Sequence, residues 1–435
     1  MTHKTFIPNT NALIGALMVI SLLSMMGRGL GLSLPLWIPI VGYWAAALIS
    51  SPGLASRNLR QSLLLLTVGI GCISWGTYQG QQFQLEDMLG RNLELISMLV
   101  AVSFLGLVSQ PAAAQSQDLP QGRRAVTSTL SGVHLFGAVI NLSSVFILGD
   151  RMTHNRPMSR EQAIALTRGF SSAAFWSPFF AAMGVAYTFA PGADLQSIML
   201  AGIPLALIAL LVTWLELSRI DKAVDFSGYP MNYSSLWLPA LLAICVFAVR
   251  HQRPDFPILT LITLLAPSIS LLVLLHHPRR TTSRLQQHVT ERVPRMSNEL
   301  SLFLAAGVLS YGLHLVQSGT SGWLPFNSFG SLEAILCLGF SLLMALFGIH
   351  PIISISLLGP LLTPLNPDQS LLAMMFLASW ALGSAIGPLS GMNLAVQGRY
   401  GIEAVSLMRW NLPYAAIMFI PTAIILYLLA WFSLS

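Results

Sequence analysis

Apolar runs long enough to cross a bilayer recur along the whole chain, and short polar segments separate them. At a helical rise of about 1.5 Å per residue, a run of roughly 20 apolar residues spans the hydrocarbon layer of a membrane. Four such runs precede residue 110, and further runs continue to residue 433. The pattern predicts an all-α polytopic membrane protein with about 10–12 transmembrane segments.

The polar segments divide the chain into four predicted regions. They are N-terminal scaffold helices in 1–80, a first repeat in 90–220, linking helices with a basic cytoplasmic linker in 221–297, and a second repeat in 298–433. Each repeat contains a predicted hairpin, at about 125–152 and 349–363. Each also contains a predicted broken helix, at about 162–190 and 369–397.

The first hairpin is predicted from loop charge. Cytoplasmic loops collect Lys and Arg, and with the N-terminus inside the rule holds as far as Arg123 and Arg124. A full crossing by residues 125–149 would then place the basic segment 150–168 outside. A re-entrant hairpin keeps both basic flanks in the cytoplasm, whereas the alternative is an ordinary crossing that breaks the charge rule locally.

Three short matches in unchanged order indicate an internal duplication. Their offsets are 206, 216 and 210 residues, and they pair Asn92 with Asn298, His134 with His350 and Pro178 with Pro388. Transporters often carry two related halves, although apolar sequences also resemble one another through composition alone. We expect inverted halves, but the loop count after residue 234 also allows parallel ones.

Two segments, 171–184 and 383–395, place Pro, Gly and several hydroxyl groups inside an apolar stretch. Because Pro removes a helix hydrogen bond, both should be broken helices, with half-helix N-termini that favour anions and free carbonyls that can hold Na⁺. The alternative is a kinked helix packed through small residues. The predicted substrate and ion site comprises Asn141, Ser143, Ser144, Ser177, Pro178, Ser354, Ser356, Ser384, Gly387, Pro388, Ser390 and Asn393.

Two histidines are candidates for handling a proton or the substrate. His134 and His350 lie at similar places in the two halves, but neither has metal-ligand spacing, so capping or packing is the alternative interpretation. The three cysteines form no CxxC motif and lie in apolar runs. We therefore predict no metal site and no cofactor other than a coupling Na⁺.

Composition excludes several classes of protein. Only 9% of residues are charged and 54% are hydrophobic, with a mean hydropathy of +0.69, so the chain cannot coat a water-exposed surface. The 22 basic residues lie in short loops and orient helices, which leaves no nucleic-acid surface. No catalytic pair or phosphate loop is visible. Acidic residues lie in or near loops or near helix ends, as Glu94, Glu216 and Glu403 do, which favours Na⁺ over a buried carboxylate for coupling.

The order of these motifs resembles the ion transporter superfamily, which includes divalent-anion/sodium symporters, arsenite permeases, citrate transporters and the large subunits of tripartite dicarboxylate transporters. The resemblance covers about residues 90–433. It rests on Asn141-Leu-Ser-Ser, Gly348-Ile-His-Pro, Ile353-Ser-Ile-Ser and Gly387-Pro-Leu-Ser-Gly-Met-Asn. It implies two re-entrant hairpins that meet two broken helices and move a small anion by alternating access.

The sequence therefore predicts a secondary active transporter of the inner membrane, not an enzyme, that moves a small organic or inorganic anion with Na⁺ or H⁺. Its expected partners are the anion substrate and membrane lipid, with no nucleic acid; a homodimer is left open. Two other classes stay open as well. One is an integral-membrane enzyme of envelope glycan or lipid synthesis, and the other is a membrane subunit of a multi-component transporter.

Overall fold

The computed structural model describes residues 8–108, 119–154, 156–219, 226–231, 237–253, 255–276, 278–319 and 324–434. Within these residues every named element is helical, which confirms the all-α prediction. The α-helices are α1 Pro8–Gly29, α2 Trp37–Ser50, α3 Ser56–Tyr78, α4 Leu85–Gly90, α5 Leu93–Ser103, α6 Gly122–Ile140, α7 Ser143–Met152, α8 Arg160–Ser172, α9 Ala181–Phe189, α10 Leu195–Leu217, α11 Trp237–Gln252, α12 Ile258–Leu275, α13 Pro278–Gln287, α14 Ser297–Gly319, α15 Ser331–Leu346, α16 Pro351–Leu362, α17 Gln369–Ile386, α18 Gly391–Tyr400 and α19 Ala404–Leu434.

Length and apolar composition make the chain a multi-pass membrane protein. Among the described residues, eight helical stretches are long and apolar enough to cross a membrane, and three shorter apolar helices accompany them. Large hydrophobic side chains are exposed along several of these helices, as expected for surfaces that face lipid.

The helices form two compact units. One unit contains α1–α5 and α11–α14; the other contains α6–α10 and α15–α19, except that residues 359–361 of α16 cluster with the first. The second unit thus collects the predicted hairpins and broken helices of both repeats. The units do not follow the predicted sequence regions, since α5 and α14, assigned to the two repeats, lie with the scaffold helices.

In the first unit, α3 and α14 pack side by side at very short range. A Cβ on Gly69 would lie 2.8 Å from the Leu309 nitrogen, and one on Gly312 would lie 2.5 Å from the Gly69 oxygen. Near the start of both helices, the Ala55 nitrogen donates to Oδ1 of Asn298 across 3.2 Å. Residue numbers rise together along the interface, so the helices run parallel.

In the second unit, each half of the sequence contributes the same order of elements. A helical pair is followed by a broken helix and then by a long helix: α6–α7, α8–α9 and α10 in the first half, and α15–α16, α17–α18 and α19 in the second. Helices α7 and α16 have 10 and 12 residues, about half of what a bilayer crossing needs. This order is what the predicted duplication requires.

One predicted boundary differs from the structure, that of the second hairpin. Residues 349–363 do not contain a whole hairpin, because Gly348 and Pro351 interrupt the apolar run there and only α16 follows. The turn lies at 347–350, and α15 is the other arm.

The basic linker before residue 297 is itself helical. It folds into α13, a π-helical turn at His288–Arg292 and a 3₁₀ turn at Val293–Met296. The predicted region 221–297 also includes residues 221–225, 232–236, 254 and 277, which lie outside the described residues.

Candidate functional site

Two helices break at corresponding prolines. After α8 and a 3₁₀ turn at Ala173–Phe175, the chain leaves helical geometry around Pro178 and re-enters it at α9. After α17, it does the same around Pro388 and re-enters at α18. The residues before the new helices, Phe180 and Ser390, have almost the same backbone angles, φ −81° and ψ 144° against φ −62° and ψ 146°. The structure thus confirms the predicted broken helices. Pro178 and Pro388 are 210 residues apart, and so are Phe180 and Ser390, so the two breaks correspond residue by residue.

The first break is bonded to the turn of the first hairpin through Asn141. Its Nδ2 donates to the Phe179 carbonyl across 3.1 Å, and its Oδ1 accepts from the Ala181 nitrogen across 3.3 Å. One amide side chain thus satisfies a free acceptor and a free donor of the interrupted helix.

Ser177 makes a second connection between the same elements. Its Oγ donates to the Ala138 carbonyl across 2.5 Å and accepts from the Phe179 nitrogen across 3.2 Å. Ala138 lies in the last turn of α6, so both contacts fix the hairpin against the break.

The two hairpin turns share an unusual backbone. Asn141 has φ +52° and Gly348 has φ +83°, both in the region that favours glycine. They are 207 residues apart and correspond in position. The sequence match of His134 with His350 therefore pairs the wrong residues: His134 lies within α6, whereas His350 lies in the second turn.

The second break is closed by Asn393, which is fully buried. Its Nδ2 donates to the carbonyls of Gly387, Ala385 and Ser384 across 2.9, 3.1 and 3.4 Å. Ser390 adds a hydrogen bond from its Oγ to the Ser384 carbonyl at 2.8 Å. The Asn393 Oδ1 atom is buried and has no hydrogen-bond partner among the described residues.

The other predicted hydroxyl groups differ in their surroundings. Ser143 is exposed at the start of α7, and Ser144 donates to the Asn141 carbonyl across 2.8 Å. Ser354 and Ser356 are buried, and neither Oγ has a partner in the described part of the chain. Such buried, unpaired oxygens can bind a ligand or water.

Each candidate histidine packs against a tryptophan. Trp176 Nε1 donates to Nε2 of His134 across 3.0 Å, so Nδ1 carries the proton and donates to Ser172 Oγ at 2.9 Å. His350 accepts at Nδ1 from the Ile352 nitrogen across 3.2 Å, and its ring contacts Trp380 at 5.3 Å between centroids. These contacts fit capping and packing, and proton handling stays a prediction.

A buried arginine, Arg168, was not predicted as a site residue. Only 1% of its side chain is exposed, and its Nη1 contacts Glu216 Oε2 at 2.7 Å. Its Nε donates to Asn411 Oδ1 and its Nη2 to the Trp410 carbonyl, each across 2.9 Å. Its guanidinium lies 4.7 Å from the ring centroid of Tyr414. The only sequence feature that could have indicated its role is its position, directly after Thr167 and shortly before the small residues of the first break.

The two broken helices run in opposite directions. Asn411 donates to both Thr167 Oγ1 in α8 and the Ala385 carbonyl near the end of α17. Beyond α9, the Asp194 nitrogen donates to Ser370 Oγ near the start of α17. Later residues of the first broken helix therefore lie against earlier residues of α17, so the two run antiparallel.

The described residues contain no cluster of three or more His, Cys, Asp or Glu that could hold a metal ion. The site consists of amide, hydroxyl and carbonyl groups, with one ion pair nearby. Such groups can bind a small ion or polar solute through hydrogen bonds.

No family model matches the chain, and no curated protein matches it. Among solved structures, the chain is similar to the crystal structure of the YdaH transporter of Alcanivorax borkumensis, reported to have an unusual topology. The TM-score is 0.51 and the identity 14%, over 86% of this chain and 98% of that one. At this identity the likeness establishes a shared fold.

Proposed function

We propose that this protein is a secondary active transporter that moves a small organic or inorganic anion across the inner membrane by alternating access, coupled to Na⁺ or H⁺. One observation carries the proposal. Two helices are interrupted at Pro178 and Pro388 with matching backbone geometry, and both breaks lie in one compact unit. Broken helices in corresponding positions of two halves are typical of the binding sites of transporters.

The breaks supply groups of both polarities. The first backbone N–H groups of α9 and α18 carry partial positive charge, which favours an anion. The Oδ1 of Asn393 at the second break is a buried acceptor without a partner in the described residues, which suits a cation. The unpaired hydroxyls of Ser354 and Ser356 in α16 are further acceptors of the same kind. Groups of both polarities are what coupled transport of an anion with a cation requires.

Two further features support the same proposal. The antiparallel broken helices are what inverted repeats would produce, and we propose inverted rather than parallel halves. We also propose that the two short-armed hairpins are re-entrant, and that the chain is a distant member of the ion transporter superfamily. The shared fold with a transporter supports this assignment.

Ligand-dependent unfolding tests the proposal. The detergent-purified protein is heated with each member of a panel of dicarboxylates, tricarboxylates and inorganic oxyanions, with Na⁺ or with choline. We expect at least one anion to raise Tm, since a ligand that binds the folded state stabilises it. Asn393→Ala should lose that shift, while Asn366→Ala, at an exposed position in the same half, should keep it. The proposal is wrong if no anion shifts Tm in either salt.

A further inference from the structure

A polar cavity that is open at the surface lies in the unit that contains α1–α5 and α11–α14. It measures about 230 Å³ and is lined by Asn11, Glu291, Pro294 and Arg295. This is many times the space that one water molecule needs. Neither the broken helices nor the hairpins contribute to it.

The cavity forms where helical geometry changes twice. The chain passes from a π-helical turn at His288–Arg292 to a 3₁₀ turn at Val293–Met296, which contains Pro294. π-Helical turns are rare and occur frequently at functional sites.

Neighbouring residues hold this irregular segment in place. His288 Nε2 lies 3.0 Å from Ser103 Oγ, and Arg292 Nη1 donates to the Gly106 carbonyl across 3.2 Å. A Cβ on Gly15 would overlap the Val289 carbonyl, so α1 packs directly on the backbone of the π-helical turn. The cavity walls are therefore well supported.

The cavity presents one charge of each sign. Glu291 and Arg295 are exposed and one helical turn apart, but no ion pair joins them. Glu291 accepts from Gln287 Nε2 across 3.2 Å, and Arg292 points its guanidinium to Gly106 instead. Two separated opposite charges fit a ligand that itself carries an anion and a cation.

The cavity lies at the start of two long apolar helices. Asn11 is in the first turn of α1, and α14 begins at Ser297, directly after the 3₁₀ turn. Lipid headgroups occupy the zone at which such apolar spans start. The adjoining α13 carries polar residues and the exposed Arg284, as expected for a helix at a membrane surface.

We propose that this cavity binds the phosphoethanolamine headgroup of a membrane phospholipid, with the phosphate on Arg295 and the ammonium on Glu291. The amide of Asn11 supplies an additional hydrogen bond. A phosphocholine group has no N–H donor for the Glu291 carboxylate, and a phosphoglycerol group has no cation for it. The cavity should therefore prefer phosphoethanolamine to both.

Native mass spectrometry of the full chain tests the preference. The detergent-solubilised protein is incubated with equal amounts of dioleoyl phosphatidylethanolamine, phosphatidylglycerol and phosphatidylcholine, and bound lipid is counted after mild activation. We expect retained phosphatidylethanolamine to exceed each of the others by about tenfold, which is the effect of one charge-assisted hydrogen bond. Free phosphoethanolamine is added in a parallel arm; displacement of the lipid shows that the headgroup is what the cavity recognises.

Three variants locate the site. Glu291→Gln should abolish the preference for phosphatidylethanolamine over phosphatidylcholine. Arg295→Gln should lower the retention of all three lipids, because each of them carries a phosphate. Arg284→Gln, on the same connector but not lining the cavity, should bind as the wild type. Equal retention of the three lipids by the wild type, or an unchanged preference in both cavity variants, would overturn the proposal. Because all three side chains are exposed, these variants should fold normally.

Discussion

The Nε of Arg168 donates to the Oδ1 of Asn411 across 2.9 Å, and this contact joins the first half of the chain to the second. Asn411 in turn donates to the Ala385 carbonyl, next to the second break. Asn411 therefore connects the buried guanidinium of Arg168 to the backbone at the second helix break. Buried charges are tolerated when they are paired and hydrogen-bonded, and Arg168 meets both conditions.

Removing the counter-charge of Arg168 should destabilise the protein strongly. Glu216→Gln leaves the buried guanidinium without its carboxylate, and we expect a loss of about 3 kcal/mol, the lower end for breaking a buried pair because Glu216 is 28% exposed. The free energy of unfolding in an SDS titration measures it. The double variant Arg168→Gln with Glu216→Gln should lose less than the sum of the single variants. Strict additivity would contradict the pairing.

The exposed ion pair of the same unit provides a matched control. Arg399 Nη2 contacts Asp150 Oδ2 at 2.7 Å, but the two side chains are 57% and 43% exposed. Asp150→Asn should cost less than about 1 kcal/mol, because water and salt screen such pairs. If Asp150→Asn lowered the free energy of unfolding as much as Glu216→Gln, burial would not be what makes the Arg168–Glu216 pair important.

Asn393 should not tolerate an acidic replacement. Asn393→Asp replaces the NH₂ donor with an oxygen that faces three backbone carbonyls, and it buries a carboxyl group. We expect Asn393→Asp to lower the free energy of unfolding by about 2–4 kcal/mol, because it leaves buried polar groups unsatisfied. This loss should exceed that of Asn393→Ala. Chemical unfolding of both variants tests the order, with Asn366→Asp, at an exposed turn, expected to be nearly neutral.

Gly202 allows α10 to approach the first break. A Cβ there would overlap the Phe175 carbonyl and lie 3.1 Å from the Trp176 Cα, both of them backbone atoms that cannot rotate away. Gly202→Ala should therefore cost about 1–3 kcal/mol. Gly339→Ala is the control, since a Cβ there meets nothing within 4 Å and alanine favours the helix. If both variants have the same Tm as the wild type, the close approach is not real.

Two substitutions separate the roles of Asn141. Its φ of +52° favours glycine, whereas its side chain bonds Phe179 and Ala181 across the break. Asn141→Gly loses only the side-chain hydrogen bonds. Asn141→Ala loses the same bonds and must also adopt a positive φ, which costs alanine about 1 kcal/mol more. We expect Tm to fall in the order wild type, Gly, Ala. A glycine variant less stable than the alanine variant would contradict this.

The sequence predicted the helix breaks because proline and glycine act locally. Pro178 and Pro388 remove hydrogen bonds wherever they stand in a helix, so their positions could be read from the residues alone. The partner of Arg168 could not be found in this way, since Glu216 is 48 residues away and the contact depends on the packing of α8 against α10. The assignment of α5 and α14 to the scaffold unit also depends on tertiary packing.

Hairpin boundaries show the limit of apolar periodicity. Residues 331–346 and 351–362 are both apolar, and composition does not distinguish a short hairpin arm from a crossing helix. The positive φ of Gly348 marks the turn, but glycine is frequent throughout this chain. The backbone conformation of Asn141 in the first turn had no signal in composition.

Solute accumulation in proteoliposomes tests the central claim most directly. The anion that gives the largest Tm shift is supplied as a radiolabelled solute to vesicles containing the protein, under an inward Na⁺ gradient, an inward proton gradient or neither. We predict accumulation above the external concentration under one gradient, its loss on gradient collapse, and a large decrease with Asn393→Ala in folded protein. Equal internal and external concentrations under every gradient, or chemical conversion of the solute, would contradict the account.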